Sequence, residues 1–157
     1  QIVTLYGTGQ WQGFWFMLNP FTQNRFLNLW LQCQTGERGQ TTKLDAERYI
    51  RDSLPDFEYP HPIYPEPGGI LPWASTDNGG NFFWLTKGPP NSWKTIYYAD
   101  RSFEFEEYDR SCSRLLFGAV SGEIPIFAEE FGDDYEYGRP DAFVPFRLWT
   151  DGGEPIR

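Results

Sequence analysis

The chain has 157 residues, which is enough for one domain with a single core, and nothing in its composition indicates a second domain. Aromatic residues make up 19% of the chain, and the 16 glycines and 13 prolines favour a turn-rich sheet with a few helices over a helical bundle. The formal charge is −9, which argues against nucleic acid as a direct ligand, because phosphates are bound by Lys and Arg. The same charge would attract a basic protein.

The sequence contains no run of 18 apolar residues, so no transmembrane helix and no membrane partner are expected. It begins at Gln1 without the basic and then apolar segments of a secretory signal. Cys33 and Cys112 lie far apart and form no dense cysteine pattern, which fits two free thiols in a reducing compartment. A cytoplasmic location is therefore expected.

The first third of the chain predicts one strand and two helices. Residues 11–18 are nearly all apolar or aromatic and predict a single strand that is buried on both faces. The apolar residues that follow, Phe26, Leu27, Trp30 and Leu31, have helical spacing, with Asn24 as the cap. A second helix is expected to begin near Thr42 and to stop at Pro55, with a buried stripe made of Ala46, Tyr49, Ile50, Ser53 and Leu54.

Residues 55–67 are rich in proline and predict an extended connector, because proline lacks the amide hydrogen that a helix or a sheet needs. Such a segment could be a ligand for a polyproline-binding module, although a rigid strap is the more common role. The connector contains His61, the only histidine of the chain. A metal site or a catalytic triad that needs histidine would have to use this residue, and its position between two prolines disfavours both, so no metal and no cofactor are expected.

The stretch from residue 69 to residue 99 predicts the centre of the fold. Residues 77–80 are Asp, Asn and two glycines, which tolerate positive φ and let the chain reverse between two aromatic-rich strands. Residues 87–92 predict a second reversal for the same reason. Three antiparallel strands result, and Trp84 is expected to point inward and to hold them to the helices.

The rest of the chain predicts further strands and one more helix. Residues 103–106 alternate Phe and Glu, which predicts a strand with rings toward the core and carboxylates on the other face. A helix is expected to begin after Asp109 or Ser111 and to end at Gly122. An edge strand is expected over 124–128, an apolar strand or strap over 143–149, and a loose tail over 150–157. The expected fold is α+β, with an antiparallel sheet of about five to six strands and two to three helices mainly on one face, in a single domain over residues 1–157.

A series of short motifs in the central stretch carries a family resemblance. It consists of a Pro-Trp pair, an Asp-x-Gly-Gly turn, an aromatic-Trp pair and a Pro-x-x-Trp step, whose defining residues are Trp73, Asp77, Gly79, Gly80, Trp84 and Trp93. With its flanking segments, the chain resembles the SUKH superfamily over about four fifths of its length. That group includes bacterial immunity proteins and fungal regulators of cell-wall assembly. The resemblance implies a bacterial immunity protein without catalysis, which binds a cognate toxin domain and blocks it sterically.

Two acidic stretches are the expected contact surface for that toxin, because charge complementarity to a basic domain such as a nuclease would speed capture. The second stretch also carries aromatic residues, which pair a charged rim with apolar anchors. A merely solvated acidic face is the alternative. The candidate partner-binding residues are Glu104, Glu106, Glu107, Glu129, Glu130, Asp133, Asp134, Tyr135 and Glu136.

Two other classes of function stay open. A carbohydrate-binding module would use some of the seven tryptophans as exposed, coplanar platforms for sugars. A small glycosidase would need two carboxylates that face each other across a cleft, such as Glu104 with Glu106 or Asp133 with Asp134. The absence of a nucleophile elbow, a metalloprotease helix motif and a phosphate loop from the sequence favours a protein that is not an enzyme.

Overall fold

The computed structural model of the chain describes residues 8–11, 15–34, 43–99, 105–126 and 143–145. Within these ranges, seven strands form one antiparallel sheet and three α-helices pack against it, which confirms the α+β fold. A 3₁₀ turn at Pro90–Ser92 joins two of the strands. The elements are β1 (Gly9–Trp11), β2 (Trp15–Met17), α1 (Leu29–Cys33), α2 (Lys43–Ser53), β3 (Ile70–Thr76), β4 (Asn81–Leu85), β5 (Lys94–Tyr98), β6 (Phe105–Tyr108), α3 (Cys112–Ser121) and β7 (Phe143–Pro145).

The strand order is β6-β5-β4-β3-β2-β1-β7, and the predicted meander of β3, β4 and β5 lies at its centre. The turn between β3 and β4 needs both of its glycines, for different reasons. Gly79 has a φ of 95°, which is left-handed backbone that favours glycine. A Cβ atom on Gly80 would lie 2.6 Å from the Tyr97 hydroxyl, so only glycine fits there.

The helices are divided between the two faces of the sheet, with α1 and α2 on one face and α3 on the other. This division follows from the period of two in a strand: along β4, Phe82 and Trp84 face α3, whereas Phe83 and Leu85 face α2. The α3 face is lined by a large cluster rich in aromatic residues, and the α2 face by a smaller cluster of aliphatic and aromatic residues. Both faces of the sheet are therefore buried by helices, with two of the three on one side.

Three local predictions differ from the structure. Residues 11–18 are not one strand, because Trp11 and Trp15 are antiparallel partners in β1 and β2. The first helix begins at Leu29 and not near Phe26, since Asn28 is the residue whose side chain accepts the hydrogen bond from the Leu31 amide. Residues 124–126 are not in a strand; their chain turns back so that the Ile124 amide donates to the Gly118 carbonyl.

The predicted buried stripe of α2 is also wrong. Tyr49 is 75% exposed and Ile50 is exposed as well, whereas Leu44 and Glu47 are buried. The buried face thus runs through Leu44, Glu47 and Arg51, at intervals of three and four residues. This face contains two charged residues because they pair with each other, so that neither is buried alone.

Candidate functional site

A polar cluster lies where α2, the proline-rich connector and strand β5 meet. The Arg51 guanidinium donates from Nε to Glu47 Oε1 at 2.9 Å and from Nη1 to the His61 carbonyl at 2.6 Å. Its carbon Cζ also lies 4.5 Å from the centre of the Tyr59 ring, a cation–π distance. Arg51 therefore ties the connector to α2 through two contacts, those with His61 and Tyr59, while its contact with Glu47 lies within α2.

Four polar atoms of this cluster are buried without a hydrogen-bond partner among the described residues. They are Arg51 Nη2, Tyr59 Oη, His61 Nε2 and Tyr98 Oη. Burial, with a smaller contribution from the Glu47 charge, raises the pKa of Tyr98 to about 12. Buried groups of this kind normally have a partner, and Trp73 Nε1 on the α3 face is a further one without a partner among the described residues.

An open pocket of about 920 Å³ adjoins the cluster through His61. One wall is built from residues 60–62 and 67–68 of the connector, and the other from residues 85–88 and Ser92. Lys94 of β5 and Glu107 of β6 complete the lining. The volume is in the range of known small-molecule sites.

Charged groups line this pocket. Lys94 Nζ donates to Glu107 Oε1 at 2.7 Å, and this hydrogen bond raises the pKa of Lys94 and lowers the pKa of Glu107. The charges of His61 and Lys87 also lower the pKa of Glu107, in smaller measure. Burial lowers the pKa of His61, partly opposed by Glu107, so its ring is neutral at pH 7. Lys87 has no carboxylate at ion-pair distance in the described part of the chain.

Sequence reasoning missed this pocket because its residues come from three separate segments. It considered His61 only for metal binding or a triad, and within the described residues no group of three His, Cys, Asp or Glu side chains could hold a metal ion. The available signal was the coincidence of a lone histidine with closely spaced prolines. Such a segment is stiff enough to form a wall.

The predicted acidic surface is only partly described. Glu106 and Glu107 are neighbours on β6 and so point to opposite faces of the sheet, which contradicts the single acidic face expected here. Glu106 accepts a hydrogen bond from the Tyr108 hydroxyl, and Glu107 pairs with Lys94. The other predicted partner-binding residues lie outside the described ranges: Glu104, Glu129, Glu130, Asp133, Asp134, Tyr135 and Glu136.

The six motif residues occupy the central meander and its two turns. Trp73 is buried, and Gly80 donates its amide to the Thr76 hydroxyl at 2.8 Å. Asp77 is exposed in the same turn as Gly79. Trp84 is half-buried on the α3 face, where it packs against the aromatic cluster. Trp93 is half-buried and donates from its ring nitrogen to the Gly88 carbonyl at 3.0 Å.

The segment from Asn19 to Cys33 exposes large apolar side chains. Phe21 is 83% exposed, Phe26 70% and Trp30 53%, and Leu31 is exposed to a smaller extent. The segment is held together from within, because the Asn28 side chain donates to the Thr22 carbonyl at 2.7 Å and that of Gln32 donates to the Arg25 carbonyl at 3.1 Å. We call this segment, residues 19–33 with α1 at its end, the aromatic loop.

In the part of the chain that the structure describes, both cysteines are free, and burial raises the pKa of Cys33 to about 12 and also raises that of Cys112. Neither thiol has the lowered pKa of a reactive nucleophile.

Among the described helices, none combines the length and the apolar character needed to cross a bilayer.

Comparison with known proteins adds no relative, since no family model, no curated protein and no solved structure matches the chain. The resemblance to the SUKH superfamily rests on the sequence motifs and stays a prediction.

Proposed function

We propose that this protein is an immunity protein that binds a cognate toxin domain in the cytoplasm and blocks it sterically. The observation that carries this proposal is the aromatic loop, which presents Phe21, Phe26 and Trp30 to solvent on an internally hydrogen-bonded segment. Clustered exposed apolar side chains are typical of protein interaction sites. Aromatic anchors on a pre-ordered segment lose little conformational entropy on binding.

The charge of the whole chain supports a basic protein as the partner. The net charge of −9 favours a partner of opposite sign, and complementary charges speed the encounter of two proteins. The acidic residues predicted from the sequence would then steer association, while the aromatic loop supplies the contacts that slow dissociation. A basic nuclease domain is a toxin of this chemistry.

Neither alternative function is favoured by the described residues. Trp11, Trp15 and Trp73 are buried, and the rings of Trp84 and Trp93 are tilted by 50° to each other, so these five form no coplanar platform for sugars. Of the carboxylates suggested for a glycosidase, Glu106 is the one within the described ranges. It lies on the opposite face of the sheet from the pocket residue Glu107.

The test is binding to the product of the neighbouring open reading frame, which this proposal expects to be a toxin. We expect Trp30→Ala to raise Kd by about 30-fold or more, the effect of losing an interface hot spot worth about 2 kcal/mol. Phe117→Ala is the matched control, because Phe117 is 69% exposed but lies on α3, on the opposite face. Thermal melts of both variants show whether each remains folded.

The charge-reversed variant with Asp133, Asp134 and Glu136 changed to Lys is expected to lower the association rate and to weaken its salt dependence. Tyr135→Ala is expected to raise mainly the dissociation rate. If folded Trp30→Ala and the charge-reversed variant both protect cells as the parent does, with unchanged Kd, the proposed contact surface is wrong. If the parent neither binds the toxin nor protects cells, the immunity function itself is wrong.

A further inference from the structure

The pocket between the connector and the turn after β4 has a local charge opposite to that of the whole protein. Two ammonium groups, those of Lys87 and Lys94, line it together with a single carboxylate, Glu107, and the neutral ring of His61, in a chain whose net charge is −9. The Glu107 carboxylate is already paired with Lys94 at 2.7 Å. One ammonium group, that of Lys87, is left without a carboxylate partner in the described part of the chain.

The walls of the pocket offer a second kind of contact. Pro60, Pro62 and Pro67 contribute apolar rings, and Leu85 faces the same space. Proline rings are held by the backbone, so this wall is ordered before any ligand arrives. Gly68, at one end of the wall, has a φ of 76° and open space where a Cβ atom would lie, so a ligand can approach its backbone closely.

We propose that this pocket binds a small organic anion, with its oxyanion on Lys87 and its apolar body on the proline wall. A cation is disfavoured because it would meet two ammonium groups and one carboxylate that is already paired. A neutral polar molecule would leave Lys87 without a counterion. A small anion with an apolar body satisfies both the charge and the wall, a combination typical of small-molecule sites.

His61 gives this proposal a direct assay, because it is the only histidine of the chain and it lines the pocket. Its ring resonances in a ¹H–¹³C NMR spectrum need no further assignment. Sodium benzoate is the probe, and benzyl alcohol is the neutral control of similar shape. Titration at about pH 8, above the usual pKa of histidine, keeps the ring neutral, so that a change in its resonance reports contact and not protonation.

We expect benzoate to shift the His61 resonances along a saturable curve, and benzyl alcohol to produce a much smaller shift. Lys87→Gln is expected to weaken benzoate binding by about tenfold, the usual result of losing one charge-assisted contact. Arg114→Gln is the control for loss of one positive charge, because Arg114 is exposed on α3 on the opposite face.

The proposal is overturned if benzoate and benzyl alcohol shift the His61 resonances equally, or if neither shifts them. It is also overturned if Lys87→Gln binds benzoate as tightly as the parent. Lys87 is exposed, so its replacement is not expected to affect folding, and a thermal melt checks this.

Discussion

The face of the sheet under α3 is buried mainly by aromatic rings, whereas the face under α2 also buries an ion pair and a tyrosine hydroxyl. On the α3 face, the Phe82 ring stacks between Trp15 at 4.3 Å and Tyr97 at 4.6 Å, and Trp73 closes the group. On the α2 face, Phe83 packs in a smaller cluster with Leu44 and two isoleucines, and the Tyr98 ring meets it edge-on at 5.8 Å. The two faces therefore resist unfolding by different means.

The difference matters because polar burial stabilises a fold less than apolar burial and depends more on geometry. An apolar ring gains free energy wherever water is excluded, but a buried charge must find its partner at the correct distance. On the α2 face, Arg51 has such a partner, while Tyr98 Oη has none among the described residues. We infer that the α3 face supplies most of the stability, and that the α2 face supplies the candidate pocket.

The largest expected effect comes from removing the central ring of the aromatic stack. Phe82→Ala should lower the free energy of unfolding by about 3–5 kcal/mol, because Phe82 is fully buried and its loss leaves a cavity between two rings. Urea denaturation measures the loss. Phe83→Ala is the matched control on the other face, and we expect it to cost less. Equal losses would show that the two faces contribute alike.

The next effect tests whether the Glu47–Arg51 ion pair stabilises the fold more than apolar side chains would at the same place. Glu47→Ala should cost about 3 kcal/mol, because it leaves the Arg51 guanidinium nearly buried and without its carboxylate. The double variant Glu47→Leu/Arg51→Met should recover most of that loss, since it replaces the pair with apolar groups. Urea denaturation again gives the values. A double variant as unstable as Glu47→Ala would show that the pair has a net stabilising role.

A smaller effect compares the helix caps on the two faces. Asn28→Ala should cost about 1–2 kcal/mol, because the side chain both caps α1 and donates to the Thr22 carbonyl. Ser111→Ala should cost about 0.5–1 kcal/mol, since Ser111 accepts from the Arg114 amide of α3 at a longer distance of 3.4 Å, and its other bond, of 3.1 Å to the Ser113 hydroxyl, is exposed to solvent. Denaturation midpoints measured side by side decide the order, and the reverse order would contradict it.

The centre of the fold could be predicted because its signals are local. The residues at 77–80 specify a turn by their own conformational preferences, and the alternation of Phe82 to Leu85 places successive rings on opposite faces. These features need no knowledge of the rest of the chain. The three-stranded meander was therefore predicted correctly.

The α2 face could not be predicted because its signals are tertiary. The orientation of α2 depends on Arg51 meeting the His61 carbonyl ten residues away, and a search for apolar stripes cannot detect that contact. The predicted buried stripe of α2 therefore included Tyr49 and Ile50, which are exposed. The pocket was missed for the same reason, since Lys94 and Glu107 become neighbours only when β5 pairs with β6.

The smallest effect at neutral pH, and the one that best isolates polar burial, concerns Tyr98. Tyr98→Phe should change the free energy of unfolding by no more than about 0.5 kcal/mol at pH 7, because the lost hydroxyl has no partner among the described residues.

The difference between the parent and Tyr98→Phe should appear at alkaline pH. Burial raises the pKa of Tyr98 from 10.0 to about 12, so the folded state favours the neutral phenol. The stability linked to this shift is fully present below pH 10 and is lost as pH rises toward about 12. Denaturation curves between these limits should show a steeper loss for the parent than for Tyr98→Phe, whereas Tyr49→Phe, at an exposed position, should match the parent. Identical slopes in all three proteins would show that the Tyr98 hydroxyl is hydrated, and that the α2 face is less dry than its packing indicates.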